Sequence, residues 1–302
     1  MLDMGFLDAV SDIVAYAPKK RQTLLFSATY PDAIAAISRK LQQSPTRVSV
    51  ESDQVPTTIE ALFFEVQKHE RNNALRLLFE HYQPSSALVF CHTKKQCDAV
   101  AQDLSAHRIE AQALHGDLDQ RERDQVLALF ANRSSAVLVA TDVAARGLDV
   151  KDLPLVINYE LPRSADSYVH RIGRTGRAGA AGIALSLFTS SEQHRLKLIE
   201  DYLDQPCICD VPASLDRVDD YELKGTMSTL RIDVGRKGKL RPGDLLGALT
   251  KDAGLEGSAI GKIDIFDYHT LVAIERTTAQ DALTYLQSGK VKGRSVKARR
   301  VS

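Results

Sequence analysis

Two apolar runs constrain the fold of this chain more than any other feature. Residues 87–90 (ALVF) and 136–140 (AVLVA) are apolar at every position, whereas a strand with one face in water alternates apolar and polar residues. Further strand candidates lie at residues 107–114, 155–157 and 183–188, and helical patterns lie at residues 94–106, 119–131, 164–172 and 190–203. Fully apolar strands that alternate with helices predict an α/β domain, residues 59–212, whose parallel sheet is covered on both faces.

The residues before this domain contain too few strands to form a core of their own. They show helical patterns at 5–16 and 32–41 and strand patterns at 23–26 and 47–50, and two strands do not close a core. We therefore interpret residues 1–44 as the end of a larger α/β domain. Residues 45–58, which include a proline, are interpreted as a linker.

The periodicity changes after a polar, acidic connector at residues 213–225. Leu230, Ile232 and Val234 alternate with polar residues, and a proline at position 242 suits the first turn of the next helix. Strand patterns at 260–266 and 270–275, a helical pattern at 278–287 and a last strand pattern at 291–301 follow. Residues 226–302 are therefore predicted to form a small domain with the order β-α-β-β-α-β.

The formal net charge of zero hides an uneven distribution. Residues 226–302 carry 14 lysines and arginines against 8 aspartates and glutamates, and the other residues carry 25 against 31. A basic block on an acidic chain suits contact with a polyanion, and a solvated lysine-rich face is the alternative. The four cysteines form no CxxC pair, so we expect no metal site, no disulfide framework and a cytoplasmic location. No run of 18 apolar residues exists, so no membrane partner is expected.

Residues 170–177 (HRIGRTGR) carry the strongest chemical signal. Three arginines, two glycines and a histidine lie within eight residues. The guanidinium group offers a fixed fork of donors that suits phosphate oxygens, and glycine lets the backbone approach a ligand closely. Arg174 and Arg177 are three residues apart, so both can reach one phosphate group if the segment is helical or turned. An exposed basic loop is the alternative interpretation.

A second motif, residues 141–149 (TDVAARGLD), directly follows the apolar run 136–140. Ligands of open α/β sheets bind beyond the carboxyl ends of the strands, so these polar residues are placed to bind ribose hydroxyls and phosphate. For Asp142 alone, a helix N-cap is the alternative. Polar residues also follow the strand candidates at 87–90 and 107–114, at Thr93 and at residues 115–117 (HGD). These strand ends predict a polar strip suited to a nucleic-acid backbone.

In their order along the chain, these motifs resemble those of DEAD-box RNA helicases. The matching stretches are residues 27–29 (SAT), 89–93 (VFCHT), 115–117 (HGD), 141–149 and 170–177, and residues 1–6 (MLDMGF) resemble the stretch that follows the DEAD tetrapeptide. The resemblance covers residues 1 to about 205. It implies that residues 59–212 form a second RecA-like domain and that residues 1–44 are the C-terminal remnant of a first one. The last 77 residues resemble an RNA-binding domain, similar to an RNA-recognition motif, that some bacterial members carry.

The resemblance also implies which residues bind the nucleotide. Arg174 and Arg177 would be catalytic arginine fingers on the γ-phosphate of ATP, and His170 would be a third residue of the catalytic site that connects it with the RNA. Asp149 would contact the ATP ribose, and Arg146 would lie between the two ligands. Removing an arginine finger from a phosphoryl-transfer enzyme can lower its rate by about 10³–10⁵-fold.

RNA binding and its coupling to the nucleotide are implied for a second set of residues. Ser27 and Thr29 would link the nucleotide state to RNA binding. The RNA backbone would be held by five residues at the strand ends and the helix that follows one of them: Thr93, Gly116, Gln120, Arg123 and Thr141. The family resemblance implies a structured element of large-subunit ribosomal RNA, bound during ribosome assembly, as the partner, and no DNA.

The sequence departs from the family pattern in one important respect. It contains no GxxxxGK followed by serine or threonine and no Asp-Glu-Ala-Asp sequence, which would supply the phosphate cradle and the carboxylates that hold Mg²⁺. ATP and Mg²⁺ are therefore expected to be held mainly by a first domain, and the 302-residue chain is predicted not to hydrolyse ATP appreciably. An RNA-binding module without catalysis is one alternative function, and part of a DNA helicase or translocase is another.

The C-terminal domain is predicted to bind RNA by charge more than by its sheet. Arg231 and Asp233, not aromatic residues, lie on the outward face of its first strand pattern, where RNA-recognition folds of this topology stack bases. Basic residues instead crowd a loop, at Arg236, Lys237, Lys239 and Arg241, and the last strand, at Lys290, Lys292, Arg294, Lys297, Arg299 and Arg300. We expect these clusters to hold the RNA backbone, and a solubilising surface is the alternative.

Overall fold

The computed structural model describes residues 7–26, 32–48, 58–145, 153–176 and 181–301. The chain divides into two compact units, Met1–Asp53 and Gln54–Ser302. In the first unit, helix α1 spans Leu7–Tyr16 and helix α2 spans Asp32–Leu41, in agreement with the periodicity.

The strand predicted at residues 23–26 is wrong. This segment is irregular, and the side chains of Leu24 and Phe26 are 65% and 89% exposed. A strand needs a neighbouring strand to satisfy its backbone groups, and the described residues of this unit contain none. Residues 47–48 are irregular as well, and the rest of the strand predicted at 47–50 lies outside the described residues.

Seven parallel strands form the main sheet of the second unit. They are β1 (Ile59–Glu65), β2 (Ala87–Cys91), β3 (Ala111–Leu114), β4 (Val137–Thr141), β5 (Leu155–Asn158), β6 (Gly182–Phe188) and β7 (Ile208–Asp210). Their spatial order is β3-β4-β2-β5-β6-β1-β7, and every neighbouring pair is parallel. The helices that connect them are α3 (Arg71–Tyr82), α4 (Lys94–Ala106), α5 (Gln120–Ala131), α6 (Asp142–Ala145), α7 (Ala165–Ile172) and α8 (Gln193–Leu203). The predicted α/β fold is confirmed.

Each central strand buries both of its faces, which explains its uninterrupted apolar sequence. On β2, Val89 belongs to a hydrophobic cluster with α3 and α4, whereas Leu88 and Phe90 belong to a cluster that includes Val126 and Phe130 of α5. All five residues of β2 are buried. Burial of one such aliphatic or aromatic side chain contributes about 1.5–3 kcal/mol to the free energy of unfolding.

Side-chain caps fix where the helices near the strand ends begin. The hydroxyl of Thr93 accepts from a backbone N–H of the first turn of α4, and Ser164 does the same for α7. Asp119 starts α5 with a capping box that also involves Glu122. Such caps satisfy backbone donors that have no partner inside the helix, so these helices start where the sequence predicts.

A second, antiparallel sheet forms the C-terminal domain. Its strands are β8 (Met227–Ile232), β9 (Ile260–Ile265), β10 (Thr270–Glu275) and β11 (Ala298–Arg300), in the spatial order β11-β8-β10-β9. Helix α9 (Pro242–Gly247), which continues as a π-helical turn, and helix α10 (Ala279–Ser288) complete the predicted β-α-β-β-α-β order. Leu230, Ile232, Val272 and Ile274 pack with Leu245 and Leu286 of these helices to form its core.

The connector between the two sheets is attached to the α/β domain. Leu223 exchanges backbone hydrogen bonds with the segment beside β3: its N–H donates to the carbonyl of Arg108 at 3.0 Å, and its carbonyl accepts from Glu110 at 2.8 Å. Leu215 and Tyr221 pack against the main core. The connector therefore restricts where the C-terminal domain can lie.

Part of the outward face of the second sheet packs against the α/β domain that contains the main sheet. The hydroxyl of Thr229 on β8 accepts from the Asn132 amide and shares a hydrogen bond with Ser134, both at 2.8 Å. Leu271 and Ala273 of β10 lie on this same face and are 1% and 0% exposed. The end of α5 therefore occupies part of the surface that an open sheet would offer to a ligand.

Among the residues that the structure describes, no helix is long and apolar enough to cross a membrane.

Candidate functional site

Four neighbouring parallel strands end side by side at one edge of the main sheet. The register pairs Cys91 of β2 with Thr141 of β4, and the last residues of β3 and β5 lie next to these two strands. The strand ends and the segments that follow them carry five of the eleven described site candidates: Thr93, Gly116, Gln120, Arg123 and Thr141. In parallel α/β sheets this edge is the usual place for ligands.

Arg171 of α7 connects the strand ends at this edge, although the sequence pattern indicates no separate role for it. Its side chain is 1% exposed. Its Nε and Nη2 donate to the two carboxylate oxygens of Asp142 at 2.6 and 2.8 Å. Its Nη1 donates to Asn158 Oδ1 and to the carbonyl of Glu160, both at 2.9 Å, and its Cζ lies 5.0 Å from the ring centre of Phe90. One guanidinium group thus ties α7 to the ends of three strands.

The salt bridge between Arg171 and Asp142 changes the interpretation of the second motif. The helix N-cap proposed as an alternative for Asp142 belongs instead to Thr141, whose Oγ1 accepts from the Ala144 N–H at 3.4 Å. Paired, bidentate bonds between a guanidinium and a carboxylate fix orientation as well as distance. The salt bridge of Asp142 therefore connects the two strongest sequence motifs, residues 141–149 and 170–177.

Arg174 and His170 lie at the mouth of the same edge. They share one shallow pocket with Phe90, Asp142, Ala145, Ser167 and Arg171. The backbone of Arg174 is held on both sides, because its N–H donates to the carbonyl of Arg171 and its carbonyl accepts from Leu153, both at 3.2 Å. Arg174 is therefore fixed next to the residues at the strand ends, and His170 is exposed beside it.

Gly176, in the same motif, fits a position that other residues would strain. Its φ is +65°, and a Cβ there would lie 2.3 Å from Cγ1 of Ile59. Its carbonyl also accepts from the hydroxyl of Thr58 at 2.6 Å. The glycine thus lets the chain turn tightly against the start of β1, two residues after Arg174.

A second polar group surrounds the loop after β3. His115 is 6% exposed and its Nε2 lies 2.9 Å from Oδ1 of Asp98, so it anchors the loop. Gly116 is exposed next to it, and the ammonium of Lys94 forms an ion pair with Asp117. This ion pair lowers the pKa of the Asp117 carboxyl, so the carboxylate and the ammonium hold the loop beside the start of α4.

The first turns of α5 connect this loop with the second motif. Arg123 donates from Nη2 to the carbonyl of Ala144 at 2.9 Å, which places its guanidinium at the end of α6. Gln120 is exposed and donates to Asp124 at 2.7 Å. Thr141 is 9% exposed. The structure therefore brings these predicted RNA-binding residues together with Gly116 at one edge.

A buried ionic network beneath the edge is not indicated by the sequence. Arg71 is 5% exposed, forms an ion pair with Glu192 and donates to the carbonyl of Tyr159 at 3.1 Å. Glu160 lies 3.7 Å from Arg71 and accepts from the His92 N–H at 3.1 Å. Burial lowers the pKa of His92, partly offset by Glu160. Arg71 and Glu192 are 121 residues apart, so no local spacing predicts their contact.

Five predicted site residues lie outside the described residues: Ser27, Thr29, Arg146, Asp149 and Arg177. Among the residues that are described, no three His, Cys, Asp or Glu side chains come together as a metal ion would require. The carboxylates of Asp142 and Asp117 at this edge are paired with Arg171 and Lys94, so the described part of the edge does not fit Mg²⁺ and no step is assigned to a metal here.

The basic loop of the C-terminal domain is fastened to the turn between β9 and β10. The N–H groups of Arg236 and Lys237 donate to the carbonyls of Phe266 and Asp267 at 2.8 and 2.9 Å. Lys239 and Arg241 continue the loop to the start of α9. The ammonium of Lys292 donates to the carbonyl of Lys239 at 3.0 Å, so the second basic segment lies against the first.

Comparison with known proteins defines the class of both domains. A family model for the helicase conserved C-terminal domain matches residues 70–179, and a model for the DbpA RNA-binding domain matches residues 229–300. The fold is similar to that of Saccharomyces cerevisiae Dbp5 bound to RNA and ADP BeF3, with a TM-score of 0.61 and 30% identity over 68% of this chain and 55% of that one. The strand-end edge and the basic module thus belong to a helicase domain joined to an RNA-binding domain.

Two relatives place the chain more closely. It is 48% identical to the ATP-dependent RNA helicase DbpA of Escherichia coli, over 99% of this chain and 65% of the relative. It is 33% identical to the ATP-dependent RNA helicase DbpA of Bacillus subtilis, over 100% of this chain and 67% of the relative. The chain belongs to the DEAD-box RNA helicase family, and it spans about two thirds of the length of these relatives.

Proposed function

We propose that the chain is the C-terminal part of an ATP-dependent RNA helicase that locally unwinds structured RNA. The observation that carries the proposal is the edge where Arg174 and the Arg171–Asp142 pair lie beside the RNA-binding candidates at the strand ends. Phosphate-binding and RNA-binding groups on one surface allow the state of a nucleotide to affect the path of an RNA strand. The relatives' activity supports the proposal.

In this proposal, ATP is the substrate and is held mainly by a first RecA-like domain together with Mg²⁺. The guanidinium of Arg174, with that of Arg177, would stabilise the negative charge that develops on the transferred phosphoryl group. Arg171 does not reach the phosphate in this scheme, because every one of its guanidinium nitrogens is already bonded within the domain. It is a positioning residue that keeps α7, and therefore Arg174, fixed against the sheet.

The strip at the strand ends would hold the RNA backbone. Thr93, Gly116 and Gln120 are exposed there, and Arg123 lies between them and the second motif. Closure of two RecA-like domains around ATP and RNA would then bend one strand and separate a short duplex. Phosphate release would reopen the site.

The C-terminal domain would determine which RNA is bound. We propose a structured element of large-subunit ribosomal RNA as its target, and a cytoplasmic role in ribosome assembly. The basic loop at 235–241 offers positive charge, with the segment around Lys292 lying against it. The contact of Thr229 with Asn132 covers part of the sheet face, which supports the loops as the main binding surface.

A fusion protein tests the proposal directly. The chain would be fused to the part of the E. coli relative that precedes the matched region, and unwinding of a short RNA duplex attached to E. coli large-subunit ribosomal RNA would be measured. We expect ATP-dependent unwinding by the fusion and none by the 302-residue chain alone. A DNA duplex of the same sequence, at the same salt concentration, should not be unwound. Equal unwinding of DNA would favour a DNA helicase instead.

One observation favours a second function. The 302 residues contain no phosphate-binding loop and no DEAD tetrapeptide. On its own, the chain would therefore act as an RNA-binding module without catalysis. RNA binding by the chain together with no unwinding by the fusion would support this alternative.

A further inference from the structure

An exposed aromatic side chain lies at the tip of the C-terminal domain. Tyr268, in the turn between β9 and β10, is 68% exposed. No sequence motif singles it out as a binding residue. Its neighbours in the turn, Phe266 and His269, stack on each other with ring centres 4.5 Å apart and an angle of 9° between their planes. This stack supports the turn that presents Tyr268.

The basic loop is held against this turn at close range. Gly235 is needed for the approach, because a Cβ there would lie 2.2 Å from the carbonyl oxygen of Phe266. The guanidinium of Arg236 donates to the carbonyl of Ile265 at 3.2 Å and lies 3.4 Å from Asp267. Arg236 therefore acts partly as a clamp between the two segments.

The clamp places Lys237 beside Tyr268. The ammonium nitrogen lies 2.7 Å from the Tyr268 hydroxyl and 4.6 Å from the centre of the ring. The ammonium thus lies over the ring towards its hydroxyl end, and the 68% exposure of Tyr268 leaves ring surface accessible. A flat aromatic face and a point charge are thus exposed next to each other.

We propose that Tyr268 and Lys237 form a binding site for one unpaired nucleotide of the RNA, with the base stacked on Tyr268 and a phosphate held by Lys237. Every base has a flat face that can stack on an aromatic ring, and an ammonium pairs with phosphate as a point charge. The surrounding charge favours RNA over a protein partner, because Lys239 and Arg241 carry further positive charge in the same loop, whereas Lys292 beside them is paired with Asp244. The site rests on the proposed RNA-binding function and adds a stacking contact away from the sheet.

Substitutions separate the stacking from the charge. Tyr268→Leu should weaken binding of E. coli large-subunit ribosomal RNA by about five-fold to a hundred-fold and leave the dependence of affinity on salt unchanged. Lys237→Ala should weaken binding and lower the slope of log affinity against log salt by about 0.7–0.9. Tyr268→Phe should bind almost as the wild type does, because its ring can still stack. Tyr202→Leu, at a half-exposed tyrosine of α8, is the matched control and should bind as the wild type does.

The chain contains no tryptophan, so Tyr268→Trp supplies a single reporter. Its fluorescence should be quenched when the same RNA is added, whereas that of Tyr202→Trp should not change. Thermal unfolding of each variant checks that the domain folds. If the wild-type chain binds no ribosomal RNA, the proposed function fails and the nucleotide site with it. If the wild type binds but Tyr268→Leu binds equally well, or Tyr268→Trp shows no quenching, only the nucleotide site is overturned.

Discussion

Arg171 and Asp142 form a bidentate salt bridge, with Nε–Oδ1 and Nη2–Oδ2 distances of 2.6 and 2.8 Å, between the helix of one motif and the strand end of another. The bridge fixes the backbone that presents Arg174 against the edge of the parallel sheet. It therefore connects the stability of the domain with the position of a proposed catalytic group.

Asp142→Asn should destabilise the domain, because the Arg171 guanidinium, whose side chain is 1% exposed, would lose its charged partner. Breaking a buried ion pair on one side costs about 3–5 kcal/mol, and we expect the lower end, about 3 kcal/mol, since Asp142 is 35% exposed. Urea unfolding measures this loss. Lys197→Ala, which removes an exposed pair with Asp201 at 3.0 Å, is the control and should cost less than about 1 kcal/mol. Equal losses in the two variants would contradict the central position of the bridge.

Thr229→Val should loosen the contact between the two sheets. The hydroxyl of Thr229 is bonded to Asn132 and Ser134 at 2.8 Å, and valine leaves the buried Asn132 amide without its partner. We expect a loss of about 1–3 kcal/mol and a calorimetric transition that broadens or splits. Thr284→Val, on the exposed side of α10, should change the stability by less than about 0.5 kcal/mol. If the Thr229→Val protein unfolds as the wild type does, this contact does not contribute to stability.

Gly116→Ala tests whether this glycine is needed for RNA binding rather than for the stability of the fold. A Cβ at Gly116 would lie 3.7 Å from Cε of Lys94, an ordinary contact, so the stability should change by less than about 0.5 kcal/mol. The methyl group would however occupy space where the RNA backbone approaches, and we expect RNA affinity to fall about tenfold, equivalent to about 1.4 kcal/mol. Gly257→Ala, which meets no atom within 4 Å, is the control. Unchanged RNA affinity in Gly116→Ala would remove Gly116 from the proposed strip.

The stability of the protein should fall in alkaline solution. Burial raises the pKa of the Cys207 thiol from 9.0 to about 12, so the folded chain keeps a proton that the unfolded chain loses above its ordinary pKa. This contribution is fully present below pH 9 and is lost as the pH rises from 9 to about 12. Urea midpoints across this range should fall less steeply in Cys207→Ala than in the wild type. The same steepness in both proteins would contradict the assignment to Cys207.

The sequence predicts the parallel sheet well because the relevant signal is local. Leu88 and Val89 are both apolar because they pack on opposite faces of the sheet, and helix α5 starts where Asp119 can cap it. A strand at residues 23–26 is wrong because a strand also depends on a partner that the local pattern does not show.

The contacts that organise the site are less visible in the sequence. Arg171 and Asp142 are 29 residues apart, and only the arrangement of strand ends brings them together. Thr229 lies in a strand whose sequence alternates as if one face were in water. Its side chain is nevertheless 0% exposed, because Asn132 and Ser134 at the end of α5 contact it. Each of these contacts depends on the relative placement of elements, which periodicity does not specify.

The most direct test of the central claim is the ATP hydrolysis rate of the fusion with the first domain of the E. coli relative, with and without Arg174→Ala. We expect RNA-stimulated hydrolysis that Arg174→Ala lowers by about 10³-fold or more, while RNA affinity stays within about twofold of that of the unsubstituted fusion, since a twofold change corresponds to about 0.4 kcal/mol. Hydrolysis at an unchanged rate in Arg174→Ala would contradict the claim that this edge of the sheet completes an ATP site.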